Sequence, residues 1–367
     1  MKMVLISNIA PHYREAIYKL IDKEFDCDFV FGDNVDNIKK IDYSVFQHKV
    51  KEVHNSYFKF GYFQKGVLSL LGKNFDKYIV IGDTRCVSTW MLVIGSKFYS
   101  KKEVYFWSHG LTGKESWIKR IVNMFFFRLG DGSFLYNERA RDLMIQLGLP
   151  HNKVYTIYNS LNYDEQLKLR ISLKHSKIYH DHFCNDNRNI IFIGRLTPVK
   201  KFDLLIDAIA LSKKHGKEYN VTFIGDGTER EKMERRVDKL EINNQVWFYG
   251  ACYDEGKNAE LIFNADLCVS PGNIGLTAMH VMMFGCPAIT NDDFKHQMPE
   301  FEAIVDNKTG SFFKHDDSDS LSLAIENWFA SHDNDREQVR MDCYNVIDTK
   351  WNPHNQISIL KRVLRPE

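Results

Sequence analysis

At 367 residues the chain is too long for one ordinary hydrophobic core and suits two α/β domains of roughly 150 to 200 residues each. With 44% apolar and 26% charged residues it is neither disordered nor fibrous, and 49 Lys plus Arg against 48 Asp plus Glu leaves no broad cationic footprint of the kind a nucleic-acid binder carries. Seven scattered cysteines without a CxxC pair fit thiols in a reducing compartment, the opening MKMVLISN is too short in apolar residues for a signal peptide, and no apolar run reaches the roughly 18 residues that span a bilayer, so a cytoplasmic protein is expected.

Short β-branched runs alternate with segments of helical period, the mark of a parallel sheet covered by crossover helices. In the first half the pattern predicts strands at 3–6, 27–31, 78–81, 104–107, 133–136 and 154–157, with helices at 14–21, 115–127 and 138–147. The middle helix places Trp117, Ile118, Ile121, Val122, Phe125 and Phe126 on one broad face. From 161 to 188 the alternation gives way to a polar, His-bearing stretch, read as a hinge. A regular βα alternation follows: strands at 190–193, 221–224, 246–249, 267–270 and 288–290, and helices at 202–214, 229–240, 260–264, 276–284, 321–329 and beyond 335. The expected division is a first domain at 1–165, a linker at 166–188, a second domain at 189–345, and a closing segment at 346–367 that crosses back to the first.

Two strand-to-helix junctions carry chemistry. The run Gly194-Arg195-Leu196-Thr197-Pro198-Val199-Lys200-Lys201 stands where ligands bind in open α/β sheets, beyond the carboxyl end of a strand. Arg195 and Lys200 there could hold a diphosphate, each charged hydrogen bond contributing roughly 1.5 to 3 kcal/mol; a solvated basic loop is the plainer alternative. The run Ser270-Pro271-Gly272-Asn273-Ile274-Gly275-Leu276-Thr277 combines close backbone approach at glycine with the free amides of a helix start, an anion site, although such glycines also serve as mere turn residues.

Taken in order, FIGRLTPVKKFDLLIDAI, FIGDGTEREKM, VWFYGAC, LCVSPGNIGLTAMHVMMFGCPAIT and EAIVDNKTG resemble the donor domain of family 4 glycosyltransferases, the glycosyl transferases group 1, over about 190–310. Ala10-Pro11-His12-Tyr13-Arg14, Trp107-Ser108-His109-Gly110 and Tyr158-Asn159-Ser160 are similar to elements of the family's first half. The resemblance implies an α/β fold of the GT-B type, two Rossmann-like domains facing each other across a cleft, the first binding acceptor and the second a nucleotide diphosphate sugar. It implies donor contacts from Gly194, Arg195, Lys200, Gly225, Gly272, Asn273, Gly275, Leu276, Thr277 and His280, acceptor contacts from His12 and Arg14, and catalytic parts for His109, Arg195 and Lys200. The family carries two glutamates with seven residues between them, whose positions fall here at Gly272 and His280, with the segment from Pro271 to Gly275 shortened. Gly272 supplies no carboxylate, whereas His280 can still hydrogen-bond a ribose diol. Glu302 aligns with a family glutamate, and Glu300 is a candidate substitute for the missing one.

The implied activity is retaining, metal-independent transfer of a hexose to a glycan or lipid-linked oligosaccharide, in the manner of bacterial surface polysaccharide synthesis, with the nucleotide sugar as co-substrate and no cofactor. An epimerase or hydrolase on the same fold, and a non-catalytic sugar-nucleotide binder, are the rival readings. The DxD triplets at 26–28, 317–319 and 333–335 lie away from the glycine turns, and His175, His180, His182 and Cys184 match no zinc spacing, so no metal is expected. Residues 115–128 join Lys119, Arg120 and Arg128 to Trp117 and three phenylalanines, which reads either as peripheral contact with the inner membrane face or as a buried helix with snorkelling cations.

Overall fold

The computed structural model describes residues 1–33, 38–99 and 101–365, and the chain divides into two units, Met1–Asn162 with Asn352–Glu367, and Tyr163–Trp351. In the first, strands β1 (Met3–Ser7), β2 (Cys27–Gly32), β3 (Val50–Val53), β4 (Asn55–Phe58), β5 (Gly61–Gln64), β6 (Lys77–Ile81), β7 (Glu103–Ser108), β8 (Gly132–Leu135) and β9 (Val154–Thr156) alternate with helices α1 (Glu15–Glu24), α2 (Val87–Ser96), α3 (Trp117–Leu129) and α4 (Glu138–Gln146). Seven strands form one parallel sheet in the order β3-β2-β1-β6-β7-β8-β9, and β4 and β5 make a separate antiparallel hairpin. The central strands are near-continuous apolar runs because helices cover both faces of a parallel sheet. β1 lies between β2 and β6, so the strand order reverses there, which opens a crevice at the carboxyl ends.

The second unit repeats the plan with β10 (Arg188–Ile193), β11 (Tyr219–Ile224), β12 (Val246–Gly250), β13 (Leu267–Ser270), β14 (Ala288–Asn291) and β15 (Gly310–Phe313), all parallel in the order β12-β11-β10-β13-β14-β15. Its helices are α5 (Tyr163–Ser172), α6 (Ile178–Phe183), α7 (Phe202–Lys214), α8 (Arg230–Lys239), α9 (Glu255–Asn264), α10 (Leu276–Met283), α11 (Ser318–Ser331) and α12 (Arg336–Thr349). The reversal falls between β10 and β13, and the two glycine-bearing junctions follow these two strands.

Residues 166–188, expected as a linker, instead form most of α5 and all of α6 and belong to the second unit. Their polar character hides the packing: Gln166 and Tyr179 are buried, the Gln166 amide donates to Glu255 Oε1 at 2.8 Å, and the Tyr179 hydroxyl donates to the Leu261 carbonyl at 2.8 Å. The closing segment divides between the units. Residues 346–349 finish α12, while α13 (Pro353–Leu364) packs on α1 and puts Ile357, Ile359, Leu360 and Leu364 into the first unit's core.

Strands β3 and β15, the hairpin and α2 were not among the expected elements. In α2 (VSTWMLVIGS) Leu92 and Val93 are buried together with the small polar residues Ser88, Thr89 and Ser96, while Val87, Met91 and Ile94 are exposed, so apolar residues stand on both faces and no clear amphipathic period results.

Candidate functional site

In the second unit Lys200 occupies the centre of the glycine-rich junctions. A single 3-10 turn at Pro198–Lys200 leads into α7 and carries Lys200 inward, where its Nζ donates to the Asn273 carbonyl at 2.6 Å, to Asn273 Oδ1 at 3.3 Å and to the Ile274 carbonyl at 3.4 Å. Burial pulls the ammonium down to about 8, against partial support from Cys268 and Glu300, and Arg195 adds to the depression. Arg195 itself is exposed, and its side chain has no hydrogen bond or ion pair among the described residues. Its loop is clamped from behind. Gly194 N–H donates to the Ile224 carbonyl and Leu196 N–H to the Asp226 carbonyl, each at 2.9 Å, and a Cβ at Gly225 would sit 1.9 Å from the Gly194 oxygen. Gly225 is therefore required by close approach of two loops; its φ of +143° also favours glycine.

The lowered value of Lys200 has a definite sign. Below about pH 8 it is a cation; a diphosphate lying against it would hold the proton, so donor affinity should fall above that pH by about tenfold per unit until the bound complex also titrates. UDP titrations from neutral to alkaline pH check this, and a flat profile would remove Lys200 from the anion site. For the unliganded protein the sign is opposite: the folded state binds the proton less readily than the unfolded chain, so this group's contribution to stability rises between about pH 8 and the ordinary lysine value of 10.5.

The turn at 271–275 is held by buried polar side chains that sequence reasoning did not single out. Gln297 Oε1 accepts from the Ile274 N–H at 2.9 Å while its amide donates to the Gly272 carbonyl at 3.1 Å, and Asn291 Nδ2 donates to the Pro271 and Gly272 carbonyls at 2.8 and 2.9 Å. Gly275, at φ +55°, starts α10, whose first amides have no intrahelical acceptor. Thr277 Oγ1 donates to the Ile193 carbonyl at 3.1 Å and ties this helix start to the end of β10. Lys200 Nζ thus lies against the turn that leads into α10, and Arg195 is near enough to depress it, a pairing of cations with helix-start amides that suits a diphosphate.

The two positions that depart from the paired-glutamate pattern have physical partners. Gly272 N–H donates to the Lys200 carbonyl at 2.8 Å, so the turn lies flat on the 198–200 loop and leaves no side-chain space. His280 Nε2 donates to Glu255 Oε1 at 2.9 Å, and that carboxylate, also bonded by Gln166, is held below its ordinary range by these partners despite its burial. Glu255 went unnoticed in the sequence because 25 residues separate it from His280. Glu300 is 2% exposed and near enough to Lys200 to raise its proton affinity.

The first unit holds a cavity of about 590 Å³ beyond β1, β6 and β7. Its wall includes Asn8, Arg14, Asp83, Thr84, His109 and Tyr136, with Lys119, Asn123 and Phe127 from α3. Arg14 lies over the rings of Trp107 and Tyr136, at 5.6 and 5.0 Å from their centroids, and donates to the Tyr136 hydroxyl. His109 lies against Tyr136 with ring centroids 4.7 Å apart and the rings inclined at 54°; desolvation in the cavity and the Arg14 cation depress it to about 4, and although part of the ring meets solvent, the direction leaves it neutral at pH 7. His12, by contrast, is not in the cavity wall. It is exposed, with Nδ1 3.3 Å from the Lys39 carbonyl and its ring against Tyr13, because the 3-10 turn at His12–Arg14 rotates successive side chains apart. Asp83 and Thr84 were missed, although only Gly82 separates them from the predicted strand at 78–81.

Among the described residues no group of three or more His, Cys, Asp or Glu gathers as a metal site. His182 instead stacks on Trp247 at 3.8 Å, His175 lies against Phe263, and His180 pairs with Asp186.

Residues 181–344 match the family described as Glycosyl transferases group 1. The sequence is 25% identical over 330 residues, 88% of this chain and 79% of the relative, to an uncharacterized 41.2 kDa protein in the cps region of Klebsiella pneumoniae. A shorter stretch of 105 residues, 28% of this chain and 26% of the relative, is 30% identical to a GDP-mannose-dependent alpha-(1-6)-phosphatidylinositol dimannoside mannosyltransferase of Mycobacterium tuberculosis. Among solved structures, Anabaena HepE in complex with UDP is similar at a TM-score of 0.70 and 16% identity, and the lipopolysaccharide outer core galactosyltransferase WaaB at 0.71 and 15%, each over 99% of both chains. These likenesses and the two parallel sheets show the GT-B fold.

Proposed function

We propose, from the match of residues 181–344 to the glycosyl transferases group 1 family, that the protein moves a hexose from a nucleotide diphosphate sugar to a glycan or lipid-linked acceptor, with retention at the anomeric carbon, in bacterial surface polysaccharide synthesis. The observation that carries this reading is the partly buried Lys200 ammonium beside the glycine-led start of α10. As the sugar leaves, negative charge grows on the diphosphate, which Lys200 and the amides at 275–277 stabilise from fixed positions while the exposed Arg195 is ordered on the ligand. The leaving phosphate oxygen then takes the acceptor's proton on the same face of the sugar, so no separate nucleophile is required. A metal is dispensable in this scheme because protein cations supply the charge, and turnover should persist in EDTA. The first unit's cavity suits the acceptor: Arg14, Asp83 and Thr84 offer polar contacts and His109 a neutral ring nitrogen. The UDP complex of the Anabaena neighbour and the cps-region relative favour a uridine donor and a capsule- or envelope-type product.

A thermal-shift screen of UDP, GDP and their sugars tests the reading. A donor at a hundred times its Kd adds about 2.7 kcal/mol to native-state stability, and UDP compounds should raise Tm in wild type but much less in Lys200→Ala. Absence of a shift with every nucleotide would sink it. Gly272 favours one rival, a protein that binds or turns over donor without transfer, since no carboxylate reaches the sugar from that position. Donor incubated alone, then with a panel of glycan acceptors, separates the two: transfer requires product to form only with acceptor.

A further inference from the structure

Helix α3 has two faces of opposite use. Lys119, Asn123 and Phe127 line the first unit's cavity, while Trp117, Ile118, Ile121, Val122 and Phe125 point outward, Trp117 at 71% and Ile121 at 59% exposure. The neighbouring α2 also turns large apolar side chains outward, Met91 and Ile94, and Phe98 just beyond its end is 85% exposed. Trp90 of α2 stacks on Phe125 at 6.1 Å between ring centroids, which makes the two rows neighbours. Ten of the 21 exposed large apolar side chains among the described residues lie between 87 and 125, so they form a patch and are not the scattered single residues of an ordinary surface.

The charges decide what covers the patch. Residues 87–128 carry seven Lys or Arg, of which Lys97 is paired with Asp131, and two Glu. Glu115 accepts from the amides of Thr112 and Gly113, and Glu103 is paired with Lys77. Lys101, Lys114 and Lys119 are exposed. Two copies of such a face would bring like charges together, whereas an anionic bilayer meets both the apolar rows and the cationic rim. No helix among the described residues is long and apolar enough to cross a membrane, which leaves docking and not spanning as the role for these helices. We propose that α2 and α3 together dock the first unit on an anionic lipid surface, with the cavity on the inner side of α3 held close to the headgroups. Resting on the transferase reading, this assigns the acceptor to the lipid-linked class: the anchor stays in the bilayer while the sugar end enters the cavity.

Co-sedimentation with vesicles of phosphatidylcholine, with and without phosphatidylglycerol, tests the docking independently of catalysis. Wild type should bind the mixed vesicles at least about tenfold better than the neutral ones, less so as salt rises, and the variant Ile94→Ser/Ile118→Ser/Ile121→Ser should lose about tenfold in binding. Its Tm and its UDP-induced shift should match wild type, which separates failure of docking from failure of the donor site or the fold. The proposal is overturned if wild type ignores both vesicle types, if the triple variant binds as well as wild type, or if sedimentation shows a dimer in wild type that the variant dissolves.

Discussion

Lys200→Ala should lower kcat/KM for sugar transfer by roughly 10²- to 10³-fold, the range seen when one preorganised donor to developing negative charge is removed. Stability should change far less, because two effects oppose each other. Truncation leaves the Asn273 and Ile274 carbonyls without their Nζ partner, which costs on the order of 1 to 3 kcal/mol. It also relieves the folded state of a partly buried cation whose depressed titration records its desolvation. Lys200→Met, which keeps the length of the side chain but loses the ammonium that lies 5.8 Å from the Phe192 ring centroid, should fold as wild type and be as inactive as the alanine variant. Initial rates with saturating acceptor, together with UDP titration of both variants, make the comparison; near-wild-type turnover in either would remove the basis of the proposed chemistry. Arg195→Ala should be milder. Its guanidinium stands in solvent without a fixed partner, so ordering it on a ligand costs entropy that Lys200, already pinned, does not lose.

The contrast between these two cations also explains what could be read from the sequence. Strands such as β10 and β13 are short apolar runs ending in glycine or proline, and that local pattern survives folding because parallel strands are buried on both faces. The same locality exposed the junctions at 194–201 and 270–277. Contacts made by tertiary pairing left no local trace. Glu255 meets His280 across two helices, and Gln297 reaches back to a turn more than twenty residues earlier. α5 and α6 looked like a hinge because each buries only a residue or two, Gln166 and Tyr179, through hydrogen bonds and not through an apolar stripe. α2 escaped for the converse reason, an apolar side left facing outward. His12 was placed in the acceptor region by its neighbours in sequence, but in a 3-10 turn residues 12 and 14 leave the backbone in different directions, and only Arg14 enters the cavity.

Gly272→Glu, which would restore the family's first glutamate, should abolish donor binding instead of improving it, and Gly272→Ala alone should destabilise the protein by about 3 kcal/mol or more, the upper end of overpacking costs. A Cβ at this position would lie 1.9 Å from the Val199 carbonyl oxygen and 2.7 Å from the Lys200 Cα, both backbone atoms. The turn cannot retreat cheaply, since the Gly272 carbonyl is held from the other side by Thr290 Oγ1 at 3.0 Å, Asn291 Nδ2 at 2.9 Å and Gln297 Nε2 at 3.1 Å. The loop that must give way is the one carrying Lys200, so the clash converts directly into loss of the anion cradle. Denaturant unfolding of Gly272→Ala, paired with UDP-induced Tm shifts, measures both consequences; an alanine variant as stable as wild type with full UDP response would show that the clamp does not exist. If the clamp holds, the shortened turn and the missing carboxylate have one cause. Bringing residue 272 onto the Lys200 backbone fixes that amine where a diphosphate would lie, at the expense of any side chain reaching toward the sugar.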